Sequence, residues 1–128
     1  MINREWVMVQ SILVVDDQLA MRRMFQAIFT ATDYDVAYAE DGNVAYGLAT
    51  KQRFDLVLTD FHMPNCNGVE LTARLRKLSS YTGVPILIVS TESNSDKKLE
   101  GKNAGANGWI VKPIKPDVLL PAVEKLLG

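Results

Sequence analysis

Ile12-Leu13-Val14-Val15-Asp16-Asp17 is followed almost at once by Leu19-Ala20-Met21-Arg22-Arg23-Met24-Phe25-Gln26-Ala27-Ile28-Phe29. Two periodicities meet here. Ile12 to Val15 is an apolar run too short for a helix and suited to a strand covered on both faces. From Leu19 to Phe29 the apolar residues Ala20, Met21, Met24, Phe25, Ile28 and Phe29 recur at three- and four-residue spacing, the stripe of an amphipathic helix. Two carboxylates sit between them.

The alternation repeats along the chain. Further strands are expected at Asp33 to Ala39, with Tyr34, Val36 and Tyr38 on one side, and at Leu56-Val57-Leu58, Ile86-Leu87-Ile88-Val89 and Trp109-Ile110-Val111. Helices are expected at Asn43 to Lys51, Val69 to Leu78, Ser95 to Ala104 and Lys115 to Leu127. The fourth is the most polar, with Lys97, Lys98 and Lys102 and little apolar beyond Leu99 and Ala104. Five strands alternating with five helices predict a three-layer α/β sandwich on a parallel sheet. The chain of 128 residues reads as one domain, residues 1–128, with Met1 to about Val9 as a short leader and no room for a second domain.

Composition excludes several functions. Hydrophobic residues at 48% and charged residues at 23% place the chain among globular proteins. Fourteen basic against fifteen acidic residues leave a charge of −1, which argues against nucleic acid or anionic lipid as the main partner. A single cysteine, Cys66, excludes an internal disulfide, and His62 as the only histidine excludes a multi-histidine metal site. No segment reaches the roughly 18 apolar residues of a membrane span, and Val7 to Val15 lacks a cleavage site. The cytoplasm is the expected compartment. Cys66, between Asn65 and Asn67, reads as a surface thiol without a redox role, and Gly68, Gly83 and Gly105 as backbone-geometry residues.

In parallel sheets ligands bind beyond the carboxyl ends of the strands. There the sequence sets Asp16 and Asp17, then Asp60, then Ser90 and Thr91, then Lys112 and Pro113. Each has an ordinary alternative, such as a helix cap for Asp16 and Asp17 or a turn residue for Asp60. Taken together, three carboxylates repel one another unless protonated or bridged by a cation. A hard oxygen site of this kind suits Mg²⁺ or Mn²⁺ shared with phosphate oxygens. An aspartate neutralised by metal can attack phosphorus and form an acyl phosphate, with the Lys112 ammonium and Ser90 hydroxyl holding phosphoryl oxygens.

Val14-Val15-Asp16-Asp17, Leu58-Thr59-Asp60-Phe61-His62-Met63-Pro64, Ile88-Val89-Ser90-Thr91 and Val111-Lys112-Pro113 resemble the receiver domains of two-component response regulators, most of all the single-domain chemotaxis regulators of the CheY type. The resemblance runs from about Ser11 to Gly128. It implies a flavodoxin-like, doubly wound, five-stranded parallel sheet with five helices. It implies that Asp60 takes a phosphoryl group from a kinase phosphohistidine, and that Asp16, Asp17, Asp60 and the backbone carbonyl of His62 hold the metal. It further implies a cis Lys112–Pro113 bond and switching roles for Ser90 and Trp109. His62, two after Asp60, and Glu92, two after Ser90, are expected to flank the attacking water and, with Thr91, to tune phosphoryl lifetime. The implied partners are a chemotaxis-type histidine kinase and a downstream protein such as a flagellar motor switch or adaptor, engaged by a monomer.

Such a protein is a signalling switch and not an enzyme in the ordinary sense, since it catalyses only its own phosphorylation and dephosphorylation. A phosphorylation-independent binding module or a phosphate sink on the same fold is the alternative. An aspartyl phosphatase would carry an acid where His62 stands. Flavin binding would need a phosphate-cradling loop after the first strand. Three positions depart from the common pattern: Thr91 for a small residue, Trp109 for tyrosine or phenylalanine, and Pro121 inside the last helix. Thr91 is expected to narrow access to Asp60. Pro121 is expected to bend or loosen the helix.

Overall fold

A computed structural model describes residues 9–128; the expected leader lies largely outside the described residues. The elements run β1 (Ser11–Val15), α1 (Leu19–Phe29), β2 (Asp35–Ala39), α2 (Gly42–Lys51), β3 (Leu56–Asp60), α3 (Gly68–Arg76), a 3-10 turn (Ser79–Tyr81), β4 (Ile86–Ser90), α4 (Ser95–Ala104), β5 (Gly108–Val111) and α5 (Pro116–Leu127). All strand pairs are parallel, in the order β2-β1-β3-β4-β5. This is the flavodoxin-like doubly wound sheet. The winding reverses between β1 and β3, which opens a crevice at their carboxyl ends.

β1, β3 and β4 are buried along their whole length, as their unbroken apolar runs require. Successive side chains alternate between the two faces. Leu13, Val15 and Val57 face α2 and α3 through Ala45, Ala49, Leu71 and Leu75. Ile12, Val14, Leu56 and Leu58 face α1 and α5 through Phe25, Phe29, Leu119 and Val123. Tyr34, Val36 and Tyr38 join this second cluster. Among the described residues no helix is long and apolar enough to cross a membrane.

Several local expectations need correction. α3 ends at Arg76, not Leu78: Lys77 N–H and Leu78 N–H turn to the carbonyls three residues back, and the chain winds into the 3-10 turn. β2 starts at Asp35, not Asp33. Cys66 is buried, not a surface thiol. Asn65 takes a left-handed φ of 70°, and Cys66 packs where a Cβ on Gly42 would meet its sulfur at 2.7 Å. Gly83 has open space and no positive φ, so nothing there requires glycine. The other two are needed. A Cβ on Gly68 would fall 2.3 Å from the carbonyl oxygen of Asp60, and Gly105 caps α4 with φ 111°. Pro121 lies exposed within α5, which continues to Leu127. In α4 only Gly101 is buried, so this helix contributes little to either apolar cluster.

Tyr81 ties the first cluster to the loop before β3. Its fully buried hydroxyl lies 3.0 Å from the Ala49 carbonyl and 2.9 Å from the Gln52 carbonyl, and accepts from Phe54 N–H at 3.2 Å. Tyr81→Phe leaves that buried N–H without its partner. A loss of about 1–3 kcal/mol is expected in urea unfolding, with the slope unchanged.

Candidate functional site

The carboxyl ends of β1, β3 and β5 bring the acidic set and one amine together. Asp16 and Asp17 follow β1, Asp60 closes β3, and Lys112 follows β5. One carboxylate oxygen from each of Asp16, Asp17 and Asp60 lies within 4.8 Å of the others. Asp16 is 1% exposed and Asp60 7%, whereas Asp17 opens to solvent. Lys112 Nζ bridges the two buried acids, 3.3 Å from Asp16 Oδ2 and 3.2 Å from Asp60 Oδ1. The Lys112–Pro113 bond is cis.

Asp16 belongs to the cluster and also braces the turn into α1. Its Oδ1 accepts from Gln18 N–H at 2.9 Å, while Oδ2 meets Lys112. Its own N–H donates to the Ala39 carbonyl, and its carbonyl accepts from Arg22. The helix itself has no side-chain cap: its N-cap is Gln18, so Asp16 braces the turn before α1 and does not cap it. Asp60 is held through the backbone. The next N–H, of Phe61, donates to the Val89 carbonyl, and Gly68 N–H donates to the Phe61 carbonyl, which draws the start of α3 against the end of β3.

Burial and the neighbouring Asp16 carboxylate push the Asp60 carboxyl above its ordinary value. Lys112 pulls it down, and Asp17 adds a further upward push. The net direction is upward, and three carboxylates share one ammonium. Three hard oxygen donors at this spacing, with excess negative charge and no sulfur among them, fit a divalent cation.

The remaining sequence-predicted residues gather on the β4–α4 side. Ser90 is fully buried, and its hydroxyl accepts from Glu92 N–H at 3.0 Å. Trp109 donates its indole N–H to the Glu92 carbonyl at 2.8 Å. Its ring lies 5.4 Å from that of Phe61, over the space left by Gly101. His62 is exposed, with Nε2 3.8 Å from Glu92 Oε1. Thr91 is exposed. Among the described residues Ser90 makes no hydrogen bond to the acidic cluster, so the predicted set forms two groups: the acids with Lys112, and Ser90 with Glu92, His62 and Trp109.

Two contributors were not singled out from the sequence. Phe61 is buried and joins the groups, its ring 4.6 Å from His62 and 5.4 Å from Trp109. Its place directly after Asp60 was the available signal. Arg22, on α1, reads in sequence as one more solvated helix cation.

The model of the response regulator receiver domain matches residues 12–124. A CheY-homologous chemotaxis protein of Campylobacter jejuni is 39% identical over 119 residues, covering 91% of this chain and 92% of that one. The solved structure of Vibrio cholerae chemotaxis protein CheY4 superposes with a TM-score of 0.90 at 38% identity, covering 94% of this chain and all of that one. The receiver domain of the Pseudomonas aeruginosa sensor histidine kinase PA1611, at 26% identity and TM-score 0.87 over 94% of this chain and 99% of that one, was solved with magnesium in its active-site cleft.

The raised Asp60 carboxyl has a sign that can be tested. The native state binds this proton more readily than the unfolded chain, so stability falls as pH rises from the ordinary carboxylate value to the raised one. Above that window the loss is complete. In chelator at neutral pH, Asp60→Asn is therefore expected to melt above wild type, with the difference vanishing on acidification below the ordinary value. Divalent cation is expected to raise the wild-type midpoint by more than that of Asp60→Asn. A calorimetric pH series with and without Mg²⁺ checks both.

Proposed function

The chain belongs to the response regulator receiver-domain family, and from that membership we propose that it serves a chemotaxis-type phosphorelay in the cytoplasm as a monomer, with Asp60 as phosphoacceptor. The observation that carries this reading is the packing of Asp16, Asp17 and Asp60 within 4.8 Å, with Lys112 bridging two of them at the mouth of the sheet. The family works with histidine kinases and downstream effectors. For this chain we infer a chemotaxis-type kinase and an output protein such as a flagellar motor switch or adaptor, because the similar proteins from Campylobacter jejuni and Vibrio cholerae are chemotaxis proteins.

Asp60 Oδ1 is engaged by Lys112, which leaves Oδ2 as the nucleophile. Oδ2 attacks the phosphorus of the phosphohistidine. The P–N bond breaks, its electron pair stays on the imidazole, and an acyl phosphate forms on Asp60. Asp16, Asp17, Asp60 and the His62 carbonyl would hold Mg²⁺ or Mn²⁺, which would supply the positive charge that an anionic acid needs to approach an anionic phosphoryl group. Lys112 then turns from the carboxylates to a phosphoryl oxygen. Ser90 exchanges Glu92 N–H for another phosphoryl oxygen, and Trp109 carries the change to the surface of α4, β5 and α5. In hydrolysis a water oxygen bonds to phosphorus, the P–O bond to Asp60 breaks with its electron pair left on the carboxylate, and inorganic phosphate departs. His62 and Glu92 flank the path of the attacking water, and Thr91 borders it.

Incubation with acetyl phosphate and Mg²⁺ is expected to add one phosphoryl group to the wild type, read by intact mass. Asp60→Asn is expected to add none, and so is wild type in chelator. Incorporation into Asp60→Asn would overturn the assignment. A pulldown with and without phosphodonor, on wild type and Asp60→Asn, reads the output.

His62→Ala and Glu92→Ala are each expected to change the rate of phosphoryl loss while leaving Mg²⁺ affinity close to wild type. Decay of the phosphoprotein followed by mass spectrometry checks this. Equal decay in both variants and wild type would place the water's path elsewhere.

A further inference from the structure

Arg22 is the fourth residue of α1, half-buried, and its side chain runs back toward the helix N-terminus as helical side chains do. Nη1 donates to the backbone carbonyl of Asp16 at 2.8 Å. Among the described residues no carboxylate lies within ion-pairing distance of its guanidinium. A cation near a helix N-terminus is disfavoured by the helix dipole. Neither a salt bridge nor the dipole therefore accounts for arginine here.

The carbonyl it grips belongs to the peptide that joins Asp16 to Asp17. The rest of Asp16 is also fixed: N–H to the Ala39 carbonyl, Oδ1 to Gln18 N–H, Oδ2 to Lys112. The carbonyl is the remaining polar group, and Arg22 holds it. Since that peptide carries Asp17 directly, its orientation sets where the exposed carboxylate points relative to the two buried ones. α1 has no side-chain cap at Gln18 and no acid in its first turn, so this clamp joins the Asp16–Gln18 bond in tying the start of α1 to the end of β1.

We propose that Arg22 is a positioning residue for the divalent-cation site, acting through the Asp16–Asp17 peptide. The proposal rests on the reading of the acidic cluster as that site. Position and charge predict opposite signs. Removing a cation beside three carboxylates strengthens cation binding by Coulomb's law. Losing the clamp weakens it, because the carboxylates no longer start in place.

The test is Mg²⁺ titration of the full chain, followed by NMR amide shifts, on wild type, Arg22→Met, Arg22→Gln and Arg22→Lys. Methionine removes the donor, and glutamine is too short to reach the carbonyl. Both are expected to bind Mg²⁺ about tenfold more weakly. Lysine, which keeps one donor and the charge, is expected to recover part of the loss. At saturating Mg²⁺ the rate of phosphorylation by acetyl phosphate is expected to return to wild type in all three. Unchanged or tighter Mg²⁺ binding in Arg22→Met and Arg22→Gln overturns the proposal. A phosphorylation rate that saturating Mg²⁺ does not restore overturns it too, since Arg22 would then act on the phosphoryl donor. Wild type that binds no Mg²⁺ overturns the underlying reading and the proposal with it, a failure visible before any variant is measured. If Arg22→Met fails to fold, Arg22→Gln carries the same expectation.

Discussion

Asp16 and Asp60 are both buried, carry carboxylate oxygens within 4.8 Å of each other, and share one ammonium, that of Lys112. At that separation two unit charges repel by about 3 kcal/mol for an effective dielectric near 20. Native domains are held by only about 5–15 kcal/mol. A sequence tolerates such crowding only if the surrounding fold fixes the chain and something offsets the charge. Much of the local structure answers to this constraint. β1 and β3 are central strands with every residue buried, so their carboxyl ends cannot drift apart. Asp60 is drawn against α3, where Gly68 alone permits the approach to its carbonyl. Lys112 is delivered from the far side by the turn after β5.

The fold was legible where a single periodicity governed a segment. The runs at Ile12, Leu56 and Ile86 suited covered strands and are such strands, and α1 begins and ends where its apolar stripe does. Legibility failed where tertiary contacts decided. Cys66 lies between two asparagines, which hide the left-handed turn at Asn65 that folds the thiol over Gly42 and within 3.6 Å of Arg74 Nη1. Arg76, where α3 ends, reaches out of the helix to the carbonyls of Tyr81 and Gly105 and to Asn107. No periodicity encodes that reach. Of the three glycines singled out, the sequence cannot tell Gly68 and Gly105, where a Cβ would clash, from Gly83, where it would meet nothing.

The candidate site divides in the same way. Carboxylates and a lysine at strand termini are readable, because strand ends in a parallel sheet converge by topology. Which atoms meet is not readable. Asp16 was open to two readings, cap or cluster member; one oxygen meets Lys112, and the other meets the N–H of Gln18 in the turn before α1, not an N–H of the helix. Arg22 escaped notice because the contact is to a backbone carbonyl, and a carbonyl leaves no mark in the sequence.

The second group of residues offers the proposed switch a route from Asp60 to the surface. Glu92 is held at three points: its N–H by Ser90 Oγ, its carbonyl by the Trp109 indole, and its side chain beside His62. In the proposed switch, Ser90 turns toward a phosphoryl group and must release Glu92 N–H. The Trp109 indole bonds the carbonyl of the same residue, so in that switch displacement of the β4–α4 loop would be passed to the indole. The indole rests on Phe61, next in sequence to the phosphoacceptor, and over Gly101, the one buried residue of α4. Because α4 has almost no apolar anchor of its own, a shift of that ring changes much of what fixes the helix to the sheet. The residues proposed to tune phosphoryl lifetime and those proposed to transmit the signal thus meet on Glu92, and a substitution there acts on both.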